Sequence, residues 1–170
     1  MNESTYGVAQ LRPHSRDQVR IRSADPFVAP EIQPNYLADE RDRAELLAGM
    51  QFTRRLFAAP ALARHLQSET FTGPSAASDD ALLDHARSTG STDYHPVGTC
   101  HVGSDDRSPL DAQLRVRGVE GLRVIVASAM PTTVSGNTYA GSIMIAEKSA
   151  DDLLRSRRKT IFCERKPIGR

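Results

Sequence analysis

Residues 91–112 hold no sustained hydrophobic period and are rich in Gly, Pro and Asp. In a chain of 170 residues this is a long stretch to leave without helix or strand. Structureless segments of that length are uncommon inside a compact domain, and the ordered ones usually carry function. The fold must therefore hold this loop from both sides, through helices before it and strands and a helix after it.

The flanking patterns supply such elements. Val19-Arg20-Ile21-Arg22-Ser23 alternates apolar and charged residues and predicts a half-buried strand, broken by Asp25-Pro26 and Ala29-Pro30. Asp39 is placed to cap a helix running to about Ala58, with Leu46, Leu47, Met50, Leu56 and Phe57 on its buried side. Pro60 suits the start of a short helix over 61–66. Ser78 caps a further helix with Asp79 and Asp80 in its first turn, ending near Gly90. Beyond the loop, Leu114–Arg117 and Leu122–Val126 read as two strands, the second covered on both faces. A last helix is expected from Gly141-Ser142, with Ile143, Ala146, Ala150, Leu153 and Leu154 inward.

Composition narrows the class. Apolar residues make up 39% and charged residues 25%, as in an ordinary globular protein. No run of about 18 apolar residues occurs, so no membrane span is expected. The polar N-terminus shows no secretory leader, and the two cysteines, Cys100 and Cys163, form no disulfide framework; both fit a cytoplasmic setting. Residues 155–170 carry seven Lys and Arg against Glu164, a net of +6, which leaves −5 on the rest of a chain of net charge +1. A basic tail can bind nucleic acid or anionic lipid, but a solvated terminus is the plainer reading, and no nucleic-acid partner is expected.

Two segments go beyond a generic α+β pattern. One is Tyr94-His95-Pro96-Val97-Gly98-Thr99-Cys100. The other runs from Gly118 to Pro131, through Leu122-Arg123-Val124-Ile125-Val126-Ala127-Ser128, and continues in Ser135-Gly136-Asn137-Thr138 and Ile143-Met144-Ile145-Ala146-Glu147-Lys148. With Val19–Pro26 and Ile32–Leu37, these resemble the C-terminal region of glucose–methanol–choline (GMC) oxidoreductases, most closely the choline dehydrogenase-like branch. The match is collinear over about residues 12–155.

The resemblance implies an α+β fragment: part of an antiparallel-sheet substrate domain plus the closing strand and helix of an FAD-binding domain. Residues 1–113 would be the substrate-domain segment, with the catalytic histidine loop beginning near 91. Residues 114–155 would return to the FAD domain, and 156–170 would form a basic tail. The implied activity is oxidation of a small alcohol by hydride transfer to FAD. His95 would be the base or alkoxide stabiliser and Asn137 its hydrogen-bonding partner. An imidazole, with an unperturbed pKa of about 6.5, suits either task. Val126, Ala127, Gly136, Asn137, Thr138 and Ser142 would lie against the cofactor, with the dipole of the last helix aimed at the flavin.

Chemistry alone leaves other readings open. A histidine before proline is commonly structural, and Asn after Gly is commonly a turn residue. His95, Cys100 and His101 match no standard zinc spacing, so no metal is expected. The family usually has Asp where Val126 stands, and Asn-Ala-Pro where Tyr139-Ala140-Gly141 follows Thr138. No Gly-x-Gly-x-x-Gly occurs in the 170 residues to cradle a pyrophosphate. A C-terminal piece, inactive alone and needing an FAD domain in cis or in trans, is therefore expected. A non-catalytic remnant, a binding module and half of a split enzyme are the alternatives.

Overall fold

A computed structural model describes residues 5–73 and 75–163. The chain divides into two compact units, Met1–Tyr94 and His95–Arg170.

The first unit is mainly helical. α1 spans Glu40–Ala58, α2 Pro60–Ala63 and α3 Asp79–Thr89. Their starts follow the expected chemistry: Asp39 accepts the N–H of Arg41, Ser78 Oγ accepts the N–H of Ala81, and Pro60 occupies the first turn of α2. α2 stops at Ala63 rather than continuing to 66. Leu82 and Ala76 are buried. In α1, however, the fully buried side chain is Asp42, at 1% exposure, while Leu56 is exposed. The carboxylate accepts the N–H groups of His14 at 2.7 Å and Ser15 at 2.7 Å, so it fastens the preceding segment to α1. Burial alone pushes this carboxyl's pKa up; hydrogen bonds from Ser15 and His14 outweigh it and hold the pKa below the ordinary carboxylate range. Arg54 fastens a second segment, donating to Glu69 and to the carbonyls of Gly73 and Ala76.

The strand expected at Val19–Ser23 is shorter and unburied. β1 (Gln18–Arg20) pairs antiparallel with β2 (Glu31–Gln33), Val19 opposite Ile32. All six residues are exposed, because no described layer covers either face of this ribbon.

The second unit is built on loops and one long helix. Residues 91–112 contain no helix or strand, as the composition predicted. Leu110, Ala129 and Met130 form the buried apolar centre. The two expected strands are not formed. Single bridges link Leu110 to Val116 and Arg115 to Arg123, antiparallel. The cause is local: Leu114 has φ 59, and Asp111 accepts the N–H groups of Gln113 and Arg115, winding the chain into a turn where a strand should start. Val124 and Ile125 are only half-buried, and the chain turns at once into a short 3₁₀ helix, Ala127–Ala129.

α4 spans Thr138–Cys163. It starts a turn earlier than Ser142 and runs through the first part of the expected basic tail; residues 164–170 lie outside the described residues. Among its residues whose side chains are described, Thr138 and Ser149 are buried, whereas Ile143, Ala146, Ala150, Leu153 and Leu154 are exposed. Ser149 can face inward because its hydroxyl donates to the Ile145 carbonyl of its own helix, as that of half-buried Ser142 does to the Thr138 carbonyl.

Candidate active site

Three segments of the second unit converge around His95. Backbone bonds join the first two: Gly98 and Cys100 donate to the Ser128 carbonyl at 3.2 and 3.1 Å, and Val102 donates to that of Ala129 at 3.0 Å. Gly98 has φ 94, in the region that favours glycine, and a Cβ there would stand 3.7 Å from the Met130 carbonyl oxygen. α4 packs against the 127–129 turn, and a Cβ on Gly141 would meet Met130 Cε at 3.0 Å. The start of α4 therefore sits beside the strip that holds the histidine loop.

His95 is half-buried, and its Nδ1 lies 2.9 Å from Oγ1 of Thr138. Thr138 is the first residue of α4 and is 6% exposed. Asn137 is exposed, and its Oδ1 accepts the N–H of Tyr139 at 3.1 Å. The amide oxygen thus serves as the cap of α4, and the NH₂ group is the part of this side chain suited to donate to a substrate. Of the two expected catalytic residues, His95 is brought against Thr138, and Asn137 follows as that threonine's chain neighbour. No pattern in the sequence marks Thr138 as the residue that faces the imidazole.

His101 Nδ1 lies 3.1 Å from the carbonyl oxygen of Gly98. A carbonyl only accepts, so Nδ1 carries the proton and the ring braces the loop. Among the described residues no three His, Cys, Asp or Glu side chains gather as metal ligands.

The expected cofactor residues are placed as follows. Val126, 52% exposed, immediately precedes the 3₁₀ turn that Ala127 begins. Gly136 faces open space where a Cβ would stand. Ser142 lies in the second turn of α4, so the terminal N–H groups belong to residues 138–141. Val126 is thus uncovered, Gly136 has open space beside it, and the start of α4 carries a partial positive charge. The pyrophosphate of FAD finds no Gly-x-Gly-x-x-Gly in these residues.

The family model described as GMC oxidoreductase matches residues 13–146. An alcohol dehydrogenase [acceptor] of Pseudomonas putida is 44% identical over 151 residues, covering 89% of this chain and 27% of its own length. An oxygen-dependent choline dehydrogenase of Chromohalobacter salexigens is 42% identical over 144 residues, covering 85% and 26%. Among solved structures, an FAD-dependent oxidoreductase from Chaetomium thermophilum superposes with a TM-score of 0.81 at 29% identity, covering 87% of this chain and 26% of that one. The chain thus spans about a quarter of the length of the relatives it matches.

Proposed function

The chain belongs to the GMC oxidoreductase family, and on that premise we propose that it is the histidine-bearing C-terminal part of an FAD-dependent enzyme that oxidises a small primary or secondary alcohol. Residues 1–113 then contribute to the substrate side, and residues 114–155 return to an FAD domain supplied in cis or in trans. The observation that carries the reading is the stitching of the His95 loop, through Ser128 and Ala129, to the strip beside the start of α4.

Bound FAD supplies a two-electron acceptor for the hydride that leaves the alcohol carbon. This chain's residues handle the proton and the orientation. The alcohol O–H proton passes to the free nitrogen of His95, and the C–H pair of electrons leaves with the hydride, so the alcohol becomes a carbonyl compound. The Asn137 NH₂ donates to the same oxygen and fixes its direction. Gly136, the main chain at Thr138 and Ala127, and the side of Val126 would meet the cofactor. The dipole of α4, whose unpaired N–H groups belong to residues 138–141, one turn before the expected Ser142, favours negative charge at that end.

The test is His95→Ala in this chain assembled with its FAD-binding partner, followed by stopped-flow reduction of the flavin by alcohol. Reduction is expected to slow about a hundredfold or more. An unchanged rate removes His95 from the chemistry and the proposal with it.

A further inference from the structure

We propose that Thr138 is the positioning residue of His95: its hydroxyl engages Nδ1, fixes the ring plane and the tautomer, and leaves Nε2 as the nitrogen that meets the substrate oxygen. This rests on the proposed role of His95 and deepens it.

A histidine that moves a proton needs two things besides reach. The ring must not spin about its χ2 axis, and the working nitrogen must be in one protonation form before the substrate arrives. Both are settled by whatever holds the other nitrogen, which is why an oriented base normally has a third group behind it. Here the third group is a buried hydroxyl. Thr138 Oγ1 stands 2.9 Å from Nδ1.

Several features make Thr138 a firm support. It is 6% exposed, so water competes little for its hydroxyl. It is the first residue of α4, and its carbonyl is held by the Ser142 hydroxyl at 2.9 Å, so its backbone is fixed. Its hydroxyl is not the helix cap, because the Asn137 amide oxygen does that work at the N–H of Tyr139. The β-branched side chain has few rotamers, which limits where Oγ1 can point. The other side of the pair is equally tethered, since the loop after His95 is bonded through Gly98, Cys100 and Val102.

A hydroxyl can serve either tautomer, as acceptor of Nδ1–H or as donor to a bare Nδ1. Only with Thr138 Oγ1 accepting from Nδ1–H is Nε2 bare and able to take the alcohol's proton, and that is the tautomer this role selects. The geometry points to one selected form rather than the mixture an unconstrained imidazole shows. Ser142, whose hydroxyl closes back on its own helix, and Asn137, whose oxygen caps α4, are not alternatives for this role.

The experiment is carried out first on this chain, by nitrogen-15 NMR of the imidazoles at a pH where His95 is neutral. The expected result is two widely separated nitrogen shifts for His95, marking a single tautomer. Thr138→Val, which keeps the side-chain shape, should draw the two shifts toward their average. Thr138→Ser, which keeps the hydroxyl, should restore the native pattern. Circular dichroism of each variant checks that α4 persists. Identical His95 shifts in all three proteins overturn the inference.

The second readout is flavin reduction in the assembled enzyme. Thr138→Val should slow it about tenfold, a part of the roughly hundredfold or more carried by the base, and Thr138→Ser should recover most of the loss. His95→Ala run alongside separates the two ideas. A slow His95→Ala with an unaffected Thr138→Val sinks only the positioning role. A His95→Ala at native rate sinks the catalytic reading and this role with it.

Discussion

The amide oxygen of Asn137 accepts the backbone N–H of Tyr139 at 3.1 Å, so one side chain both starts the last helix and carries the donor proposed for the substrate. The two duties separate by substitution. Asn137→Ala removes both and should cost about 1 kcal/mol of stability through the lost cap. Asn137→Asp keeps an acceptor at the cap and removes the NH₂. It should melt within a degree or two of the native chain, yet slow flavin reduction in the assembled enzyme. Parallel losses in both measurements for the Asp variant would contradict this division.

Asp42 gives a pH signature in the first unit. Its folded pKa lies below the usual value, so the carboxylate stabilises the fold fully above the unfolded pKa of about 3.9, and that contribution is lost as pH falls through the folded value. Asp42→Asn retains some acceptor capacity but no charge. At neutral pH it should cost about 1–3 kcal/mol, since the N–H groups of His14 and Ser15 lose a charged acceptor. Urea midpoints recorded from pH 7 to pH 3 should draw together for the two proteins as pH falls below about 4. Parallel curves would show that Asp42 titrates no differently in the folded chain.

Gly103 is a steric test of the loop. A Cβ there would lie 2.9 Å from Cβ of Ser108, which is buried and donates to Asp105. Gly103→Ala should destabilise the second unit by about 1–3 kcal/mol, the usual cost of overpacking. A thermal melt no lower than native would mean that the 103–108 turn yields freely.

Val126 is half-exposed, so an acid there meets little desolvation cost. Val126→Asp introduces acceptors for hydroxyl groups of the kind the flavin's ribityl chain carries. It should tighten FAD binding in the assembled enzyme, read as a lower dissociation constant by fluorescence quenching. An unchanged dissociation constant would place Val126 away from the cofactor, and weaker binding would show that no hydroxyl meets the new carboxylate.

What the sequence made legible were features set by nearest neighbours. Asp39, Ser78 and Pro60 open helices because capping and proline geometry act within three or four residues. The Gly, Pro and Asp content of residues 91–112 likewise marked a loop. Strand expectations failed where local chemistry overrode alternation. The Asp111 carboxylate and the left-handed backbone of Leu114 bend the segment that should begin a strand. The inward face of α4 differs from the apolar stripe its spacing predicts: Ser149 turns inward because its hydroxyl bonds to its own helix, and Thr138 because its hydroxyl meets His95. The histidine and the asparagine stood out by resemblance. The contact between His95 and Thr138, 43 positions apart, had no local signal to find.

The anchoring of the histidine loop by peptide groups has an evolutionary consequence. Gly98, Cys100 and Val102 hold on through their N–H groups to the carbonyls of Ser128 and Ala129, and every amino acid but proline owns such a group. Apart from Gly98, whose backbone angle restricts it, and His101, whose ring braces the loop, these anchors do not depend on which side chains the residues carry. A lineage built this way can change the side chains at Cys100 and Val102 while the backbone tie to residues 128–129 stays in place.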